Sequence, residues 1–449
     1  MLRDKFIKYL NLLEDKIKSK SLLKKRKGFD RIILEIDEIN ILEFMSMFQG
    51  NNKIYFSPSD NSFSTFAMLS LREYKTDNYD EDFKNIIEKD ISLFLNNDIK
   101  IYGGICFSRN KNNWKEFPEA RFILPIFEIF NRNNKYFIAY NFVINDDLIN
   151  NYYANINKLI SLFNWNIIKD NLPVNIYKHS FFPNYNKWIE NINKAKILFN
   201  KNKYIKIALA RITKLYSNNN INSLTLFNKL INNSINSYNF YFEFNNSVFM
   251  GNSPEKLFKI ENNVISSDSL AGTRKRDIRV NKDIFLENEL LESKKDNDEF
   301  NIVKEDIFSI LNELCSGIIT ESETKVKKLN KVQHLFSEIK GELKENYSVF
   351  NIMDKIHPTP AVGTKPRDNE NIIYELEQFD RGWYAGPIGY LSCNKSDFSV
   401  AIRTCLINDN KMYLFTGAGI TKDSQADAEW EEINNKMSDY LDIINYDIN

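Results

Sequence analysis

The spacing of hydrophobic residues separates predicted strands from predicted helices along the chain. Short apolar or alternating runs, divided by turn signals such as SPSDNS and NRNNK, predict strands at 32–36, 53–56, 101–107, 121–130 and 135–142. Helical spacing predicts helices at 1–26, 83–95, 146–163 and 185–200. A loop containing Pro173 and Pro183 is predicted before the last of these helices. No Pro/Gly/Ser-rich linker or internal repeat divides the chain, which favours a single domain.

The stretch 378–436 has the clearest pattern and predicts three strands followed by a helix. Side chains alternate over 398–407, which places Arg403 on one face with Ala401 and Cys405. Glycines interrupt this stretch in GWYAGPIG and again in GAG. Glycine weakens a strand and usually marks a bulge or a close approach of the backbone to a ligand. Beside acids and an arginine, these strand ends favour an anionic ligand together with a divalent cation.

The predicted helix carries two acids and a lysine at the margin of its buried side. Its apolar stripe consists of Trp430, Ile433, Met437, Leu441 and Ile444. Glu429, Glu432 and Lys436 lie on an arc directly beside that stripe, whereas Glu431 points to solvent. Taken alone, this is the pattern of an ordinary amphipathic helix with Glu–Lys pairs. The neighbouring glycines and Arg403 favour a ligand site instead.

Composition and charge exclude several classes of function. The 449 residues contain 60 basic and 60 acidic side chains, so no net field attracts nucleic acid or an anionic membrane. The four cysteines are scattered without a CxxC motif, which indicates reduced thiols of a cytosolic protein. The charged, amphipathic start lacks the apolar core of a signal peptide, and no run of about 18 apolar residues occurs. The sequence therefore predicts a soluble, cytoplasmic protein.

Two residues upstream of this stretch are candidates for acid–base chemistry. Lys206 lies in the alternating segment YIKIALARITKL and shares a face with Ala208 and Ala210. Desolvation can lower the pKa of a lysine by several units from about 10.4, although a strand lysine is more often an edge charge. Glu255 follows the turn-forming Asn-Ser-Pro and precedes a predicted strand. By itself it would be a solvated acid in a turn.

A third candidate lies in SKKDNDEFNIVKEDIFSIL, which predicts a helix. Its buried stripe consists of Phe300, Val303, Ile307, Ile310 and Leu314. Glu299 lies on the edge of that stripe, and Asp296 precedes it by one turn. Carboxylates from few side chains, completed by water and substrate, are what Mg²⁺ prefers.

GWYAGPIG, AIRT, GAG and EWEEINNK, in this order, resemble the C-terminal half of the chorismate-utilising enzymes. That family includes isochorismate synthase, salicylate synthase and the large subunit of anthranilate synthase. The resemblance extends from about residue 203 to 436. It implies an α+β fold, a single large domain of two packed antiparallel sheets flanked by helices. Residues 1–180 would be the N-terminal part of this sandwich, without a recognisable motif, and residues 185–445 the chorismate-binding catalytic part.

The resemblance also implies roles for the acidic and basic residues. The family motif KxxLxR falls on Lys206, Leu209 and Arg211, which makes Lys206 similar to the general base, and Glu255 is similar to the general acid. Residues 293–300 are similar to the family pattern SEKDRxEH, whose last acid binds magnesium and corresponds to Glu299. The resemblance implies Glu432 of EWEEINNK as the second ligand, with Asp296 and Glu429 as outer-sphere partners. Asn297 replaces the usual arginine of the pattern and Phe300 the usual histidine.

The substrate-binding residues implied by the resemblance come from several segments. They are Ala271, Gly272 and Thr273 of LAGT, His334 beside the ring, Ala361 of HPTPAVGT, and Tyr384, Arg403, Gly417, Ala418, Gly419 and Lys436 around the enolpyruvyl carboxylate. Histidine in such a place can equally be neutral and structural. In HPTPAVGT, Thr364 replaces the second glycine of the related HPTPAxGG.

Among the activities of the family, isochorismate synthase is the prediction for this chain. Salicylate synthases tend to carry threonine at the position of Ala361, and an ammonia-using relative does not need the base Lys206. The resemblance implies Mg²⁺ as the cofactor, chorismate as the substrate, no obligatory amidotransferase subunit, and a product used for menaquinone or a siderophore. A degenerate, non-catalytic relative that only binds a ligand is the alternative from another class.

Overall fold

The computed structural model describes residues 2–21, 27–109, 114–165, 174–345, 347–367 and 371–448. Within these residues the helices are α1 (Leu2–Ser21), α2 (Ile41–Met47), α3 (Glu81–Ser92), α4 (Leu148–Ser161), α5 (Tyr185–Asn200), α6 (Ser223–Asn232), α7 (Val280–Glu292), α8 (Lys294–Leu314), α9 (Val349–Ile356), α10 (Asn371–Glu377), α11 (Ala426–Lys436) and α12 (Ser438–Ile444). In the described part of the chain no helix is both long and apolar enough to cross a membrane. All four cysteines are free thiols.

Most of the strands follow one another in runs of two to four between the helices. Every pairing between the described strands is antiparallel. The strands are β1 (Phe29–Ile36), β2 (Asn52–Ser57), β3 (Phe63–Thr76), β4 (Ile101–Ile105), β5 (Ala120–Arg132), β6 (Lys135–Val143), β7 (Ile176–Phe182), β8 (Lys206–Ser217), β9 (Tyr238–Phe244), β10 (Ser247–Ser253), β11 (Lys256–Glu261), β12 (Val264–Lys275), β13 (Cys315–Glu321), β14 (Lys325–Lys328), β15 (Val332–Leu343), β16 (Thr364–Lys365), β17 (Pro387–Leu391), β18 (Lys395–Val400), β19 (Thr404–Asn408) and β20 (Lys411–Ile420).

The strands form two branches that meet at β5. On one edge β5 pairs with β3, and on the other it pairs with β4 near its start and with β6 near its end. The first branch runs β1-β6-β5-β3-β2-β9-β10-β19-β20-β8-β7, and the second runs β4-β17-β18-β11-β12-β15. The predicted α+β fold is confirmed, and its two sheets are branches of one hydrogen-bonded sheet.

The core has two layers because strand side chains alternate between the faces of the first branch. Phe240 and Phe242 of β9 point into a cluster that also holds Phe258 and Phe398 from the second branch. Tyr241, between them in sequence, joins a cluster on the opposite face, together with buried residues of α1, α4, α6 and α12. The first branch is thus covered by the second branch on one side and by helices on the other.

The N-terminal elements follow the sequence prediction with some exceptions. Helix α5 matches its predicted bounds, and the five predicted strands correspond to β1, β2, β4, β5 and β6. The pattern missed β3 and α2, and it assigned a loop where β7 forms before Pro183. Residues 22–26 of the predicted first helix, and Pro173 of that loop, lie outside the described residues. The division of the domain at about residue 180 stays a prediction.

The prediction of three strands in 378–436 is wrong, because the segment 398–407 is not one strand. It is divided between β18 and β19, and Arg403 between them has a left-handed backbone with φ of 55°. The predicted C-terminal helix is likewise two helices, α11 and α12, that meet at Met437. Ile433, Met437 and the α12 end of its apolar stripe are buried as predicted.

Candidate active site

A cleft lies where β8 and β20 of the first branch face β12, β15 and α8, and it brings together most of the predicted site residues. These lining residues are Lys206, Glu255, Ala271, Gly272, Thr273, Glu299, His334, Ala361, Tyr384, Arg403, Gly417, Ala418, Gly419, Glu432 and Lys436. Asp296 and Glu429 do not line the cleft. Residues separated by up to 230 positions in the sequence therefore converge on one small volume.

Lys206 is the first residue of β8 and is fully buried. Its Nζ donates a hydrogen bond of 2.8 Å to Oε1 of Glu299 on α8. The neighbouring strand β20 leaves room for this pair because it has glycine at position 419. A Cβ atom there would lie 2.5 Å from Oε1 of Glu299 and 2.6 Å from Cε of Lys206. The sequence predicted a close approach of the backbone to a ligand site at GAG, residues 417–419. The geometry at Gly419 agrees with that prediction.

The glycines around Tyr384 have a different role from the one predicted. A Cβ atom at Gly382 would collide with Trp114, and one at Gly386 or Gly389 would collide with the backbone of a neighbouring segment. None of these glycines lines the cleft in the described residues. They allow close packing between the turn before β17 and the strands beside it, and only Tyr384 itself reaches the cleft.

Glu255 lies between β10 and β11, with 3% of its surface exposed. Its Oε1 has no hydrogen-bond partner among the described residues. Burial raises the pKa of this carboxyl to about 8, which the positive charge of Lys206 opposes and the negative charge of Asp268 reinforces. Glu255 is therefore protonated at neutral pH and can donate a proton within the cleft.

Three carboxylates, two that line one end of the cleft and Glu429 close to them, each have a lysine partner. Glu299 pairs with Lys206 as described, Oε1 of Glu432 lies 2.7 Å from Nζ of Lys436, and Oε1 of Glu429 lies 3.3 Å from Nζ of Lys295. Burial and the negative charge of Glu432 raise the pKa of Glu429. Burial opposes ionisation of Glu432 as well, but Lys436 holds its pKa below the usual value.

These carboxylates can supply oxygen ligands to a cation without forming a complete cage. No three His, Cys, Asp or Glu side chains among the described residues converge closely enough to hold a metal by themselves. Glu299 and Glu432 both line the cleft, and Mg²⁺ is commonly bound by one or two carboxylates while water and substrate fill the other positions. This set of hard oxygen donors fits Mg²⁺.

His334 presents a hydrogen-bond acceptor to the cleft. Its Nδ1 lies 3.0 Å from the carbonyl oxygen of Gly272 and 3.2 Å from Oγ1 of Thr273. Burial lowers its pKa to about 3, so the ring is neutral. A carbonyl oxygen can only accept, so the hydrogen is on Nδ1. Nε2 is left as a buried acceptor without a partner among the described residues.

Two positively charged side chains and one hydroxyl group lie at the C-terminal end of α11. Arg403 donates to the carbonyl oxygen of Lys436 over 3.1 Å, and Nζ of Lys436 donates to the carbonyl oxygen of Gly417 over 2.9 Å. The ring of Tyr384 stacks on Phe415, and its hydroxyl lies close to Gly417. A guanidinium, an ammonium and a phenol grouped in this way suit a carboxylate.

Asp296 lies behind the cleft wall. Its carboxylate pairs with Arg274 over 2.8 Å, so it neutralises that arginine. The two departures from the family pattern also have structural roles. Asn297 donates to the carbonyl oxygens of Leu291 and Ser293 at the start of α8, and Phe300 is buried in the core.

Sequence reasoning missed several lining residues, of which Arg381 is the only charged one. Its guanidinium donates to Glu377 and to the carbonyl oxygens of Val362 and Ala208. Ala208, Leu209 and Leu270, which belong to the motifs already described, also line the cleft, and the remaining missed residues are Pro254, Val362, Ile402, Phe415 and Thr416. No spacing pattern marks them, because they reach the cleft through turns and strand pairing.

Comparisons with known proteins agree with the geometry. The profile of the family described as chorismate binding enzyme matches residues 16–445. The chain is 28% identical to isochorismate synthase MenF of Haemophilus influenzae over 415 residues, which are 92% of this chain and 91% of that protein. It is 29% identical to the chloroplastic isochorismate synthase of Catharanthus roseus over 429 residues, which are 92% of this chain and 70% of that protein.

A solved structure shares the fold along nearly the whole chain. The structure of MenF, the menaquinone-specific isochorismate synthase from Escherichia coli, superimposes with a TM-score of 0.85 at 23% identity and covers 98% of this chain and all of its own. The family match extends over nearly all of the sequence, including the strands and helices that form the cleft. This chain therefore belongs to the family of chorismate binding enzymes.

Proposed function

We propose that this protein is an isochorismate synthase, which converts chorismate to isochorismate. The observation that carries the proposal is that one cleft is lined both by Lys206 and by a carboxyl, Glu255, that is protonated at neutral pH. Moving a hydroxyl from one ring carbon to another requires a base for the entering water and an acid for the departing hydroxyl. The similarity to isochorismate synthases along 92% of the chain supports the same activity.

In the proposed mechanism, Lys206 takes a proton from water as the water oxygen bonds to the ring. Glu255 gives its proton to the ring hydroxyl on the opposite side, the C–O bond breaks, and that hydroxyl leaves as water. An ammonium paired with a carboxylate is not a base, so Lys206 must lose a proton before the attack. Each of the two groups is expected to contribute about 10²–10⁴-fold to the rate.

The remaining residues would orient the substrate. Arg403, Lys436 and Tyr384, with the backbone of 417–419, would hold the enolpyruvyl carboxylate. Nε2 of His334 would accept a hydrogen bond from a hydroxyl on the ring. Glu299 and Glu432 would bind Mg²⁺, with Glu429 and Asp296 acting through their charge from outside the cleft. The bound ion would supply positive charge for the ring carboxylate.

Ala361 supports isochorismate over salicylate as the product, since it gives the cleft wall a small apolar side chain. The fold shared with a menaquinone-specific enzyme supports menaquinone synthesis as the use of the product, with siderophore synthesis as the alternative. Loss of menaquinone when the gene is disrupted would support the first use. Normal menaquinone with loss of a siderophore would support the second.

The activity can be tested by incubating the purified protein with chorismate, with and without Mg²⁺, and separating the products by chromatography. We expect isochorismate, formed only when Mg²⁺ is present. Salicylate with pyruvate would leave the cleft assignments in place but contradict the argument from Ala361. Anthranilate formed with added ammonia would indicate the anthranilate synthase reaction. No conversion under any condition would favour a protein that binds the ligand without turning it over.

Substitution of Glu432 by Gln should weaken Mg²⁺ binding. A neutral amide keeps the size of the side chain but removes the charge that attracts the ion. We expect the Mg²⁺ concentration for half-maximal activity to rise at least about tenfold. Glu431→Gln is the matched control, because Glu431 is the preceding residue of α11 and points to solvent. An unchanged Mg²⁺ dependence in Glu432→Gln would place the metal site elsewhere.

Substitution of Gly419 by Ala should reduce turnover by about 10²-fold, because the new methyl group would displace Lys206 and Glu299 together. The measurement is kcat at saturating chorismate and Mg²⁺. Circular dichroism should give an unchanged spectrum, since the effect is confined to the cleft. Wild-type kcat in this variant would mean that the Lys206–Glu299 contact has no part in catalysis.

A further inference from the structure

Lys295 lies beside the acidic end, which is the group formed by Glu299, Glu429 and Glu432. Its Nζ lies 3.3 Å from Oε1 of Glu429, and its own side chain is half exposed whereas that of Glu429 is buried. The two residues come from different helices, α8 and α11, which carry Glu299 and Glu432 respectively. The lysine thus bridges the two elements that supply the proposed metal ligands.

The position of Lys295 in its own helix gives no reason for a positive charge. It is the second residue of α8, two positions after the N-cap Ser293. The N-terminus of a helix carries a partial positive charge, which makes a nearby cation unfavourable. The favourable contribution must come from outside the helix, and the acid that Lys295 contacts there is Glu429.

The field at Lys295 comes from all three carboxylates of the acidic end. Burial opposes the charged form of this lysine, but Glu429, Glu299 and Glu432 together raise its pKa. The other two lysines of the group differ from it in exposure. Lys206 is fully buried and 18% of the Lys436 side chain is exposed, whereas half of the Lys295 side chain is exposed and can turn into water.

We propose that Lys295 is a resident cation that neutralises the acidic end when no metal is bound and is displaced when a divalent ion binds between Glu299 and Glu432. This inference rests on the proposed function of that end as the magnesium site. Lys295 would then set the affinity for the ion, because the ion and the ammonium compete for the same negative field. In the metal-free protein the ammonium also offsets the repulsion of Glu429 by Glu432 and Glu299.

The size of the competition follows from the exposure of Lys295. A half-exposed ammonium is well screened, so its removal should have the effect typical of a surface ion pair. We expect Lys295→Gln to lower the Kd for a divalent ion by about twofold to fivefold. Lys295→Arg keeps the charge and should leave the Kd close to the wild-type value.

The test is titration with Mn²⁺, followed by the electron paramagnetic resonance signal of the free ion, at fixed ionic strength with and without chorismate. The matched control is Lys275→Gln. Lys275 pairs over 3.4 Å with Glu431 of the same helix α11, but both side chains of that pair are exposed. Its removal deletes one positive charge from the same region without touching the acidic end, so the Kd should not change. Thermal unfolding of each variant checks the fold.

Three outcomes would overturn the proposal. An unchanged or higher Kd in Lys295→Gln means that the lysine does not compete with the ion. An equal fall of the Kd in Lys275→Gln means that the affinity depends only on the overall charge of this surface and not on the position of Lys295. If the wild-type protein binds no Mn²⁺ even with chorismate, the magnesium site itself is wrong. Isochorismate formation, measured separately on the same samples, shows whether the proposed function stands in each case.

Discussion

Replacement of Lys206 by alanine is expected to lower kcat by about 10²–10⁴-fold while chorismate still binds in the presence of Mg²⁺. Of the two described lysines that line the cleft, the substitution removes the one that is fully buried, which is the proposed acceptor of the proton from water. Glu299 keeps its charge and loses only its ammonium partner, so the metal ligands remain. The measurement combines steady-state kinetics with calorimetric titration of chorismate in the presence of Mg²⁺.

Lys214→Ala is the control for this variant. Lys214 belongs to the same strand, β8, but is partly exposed and lies outside the cleft. Its loss should leave kcat unchanged. If Lys206→Ala turned over chorismate at the normal rate, another base would have to be found. If it failed to bind chorismate at all, Lys206 would have to be assigned a binding role instead.

Replacement of Glu255 by glutamine is expected to lower kcat by a similar factor, about 10²–10⁴-fold, because an amide cannot donate a proton to the leaving hydroxyl. The wild-type enzyme should lose activity as the pH rises through about 8, where the buried carboxyl ionises. The measurement is kcat against pH for both proteins. Glu261→Gln, at the exposed end of β11, should keep the wild-type profile. Equal pH profiles for wild type and Glu255→Gln would contradict the assignment.

Stability gives an independent test of the state of Glu255. Its folded pKa of about 8 lies above the ordinary value of 4.5, so folding favours the protonated form. The contribution of this group to stability is fully present below about pH 4.5 and is lost as the pH rises through 8. Glu255→Gln cannot ionise and should lack this part of the decline. Denaturant unfolding at pH 6 and pH 9 compares the two proteins.

Most of the site residues could be predicted from the sequence, because a local pattern and the family resemblance both mark them. Lys206 is marked by the alternation of its strand, and Glu299 and Glu432 by their place beside an apolar helical stripe. These signals depend on a few neighbouring residues, so they can be recognised in the sequence without the folded structure. The charge state of Glu255 could not be predicted in this way, because its burial depends on strands β10 and β18, which lie far apart in the chain.

The errors have the same physical origin. Arg403 continues an alternating pattern, but it has a left-handed backbone in the break between β18, which ends at Val400, and β19, which begins at Thr404. Strand β7 reads as a loop until its pairing with β8 supplies its hydrogen bonds. The contact between Lys295 and Glu429 joins residues 134 positions apart. Propensity and periodicity carry no information about such partners, which only the folded chain brings together.

The pairing of the strands also decides which pieces of this protein could exist alone. Strands β8, β9 and β17, all within the predicted catalytic part, each pair with a strand of the N-terminal part, namely β7, β2 and β4. A fragment that began at residue 185 would expose three long strand edges with unpaired amides and carbonyls. Such edges recruit other chains and lead to aggregation. Although none of its described residues lines the cleft, the N-terminal part covers these edges by hydrogen bonding.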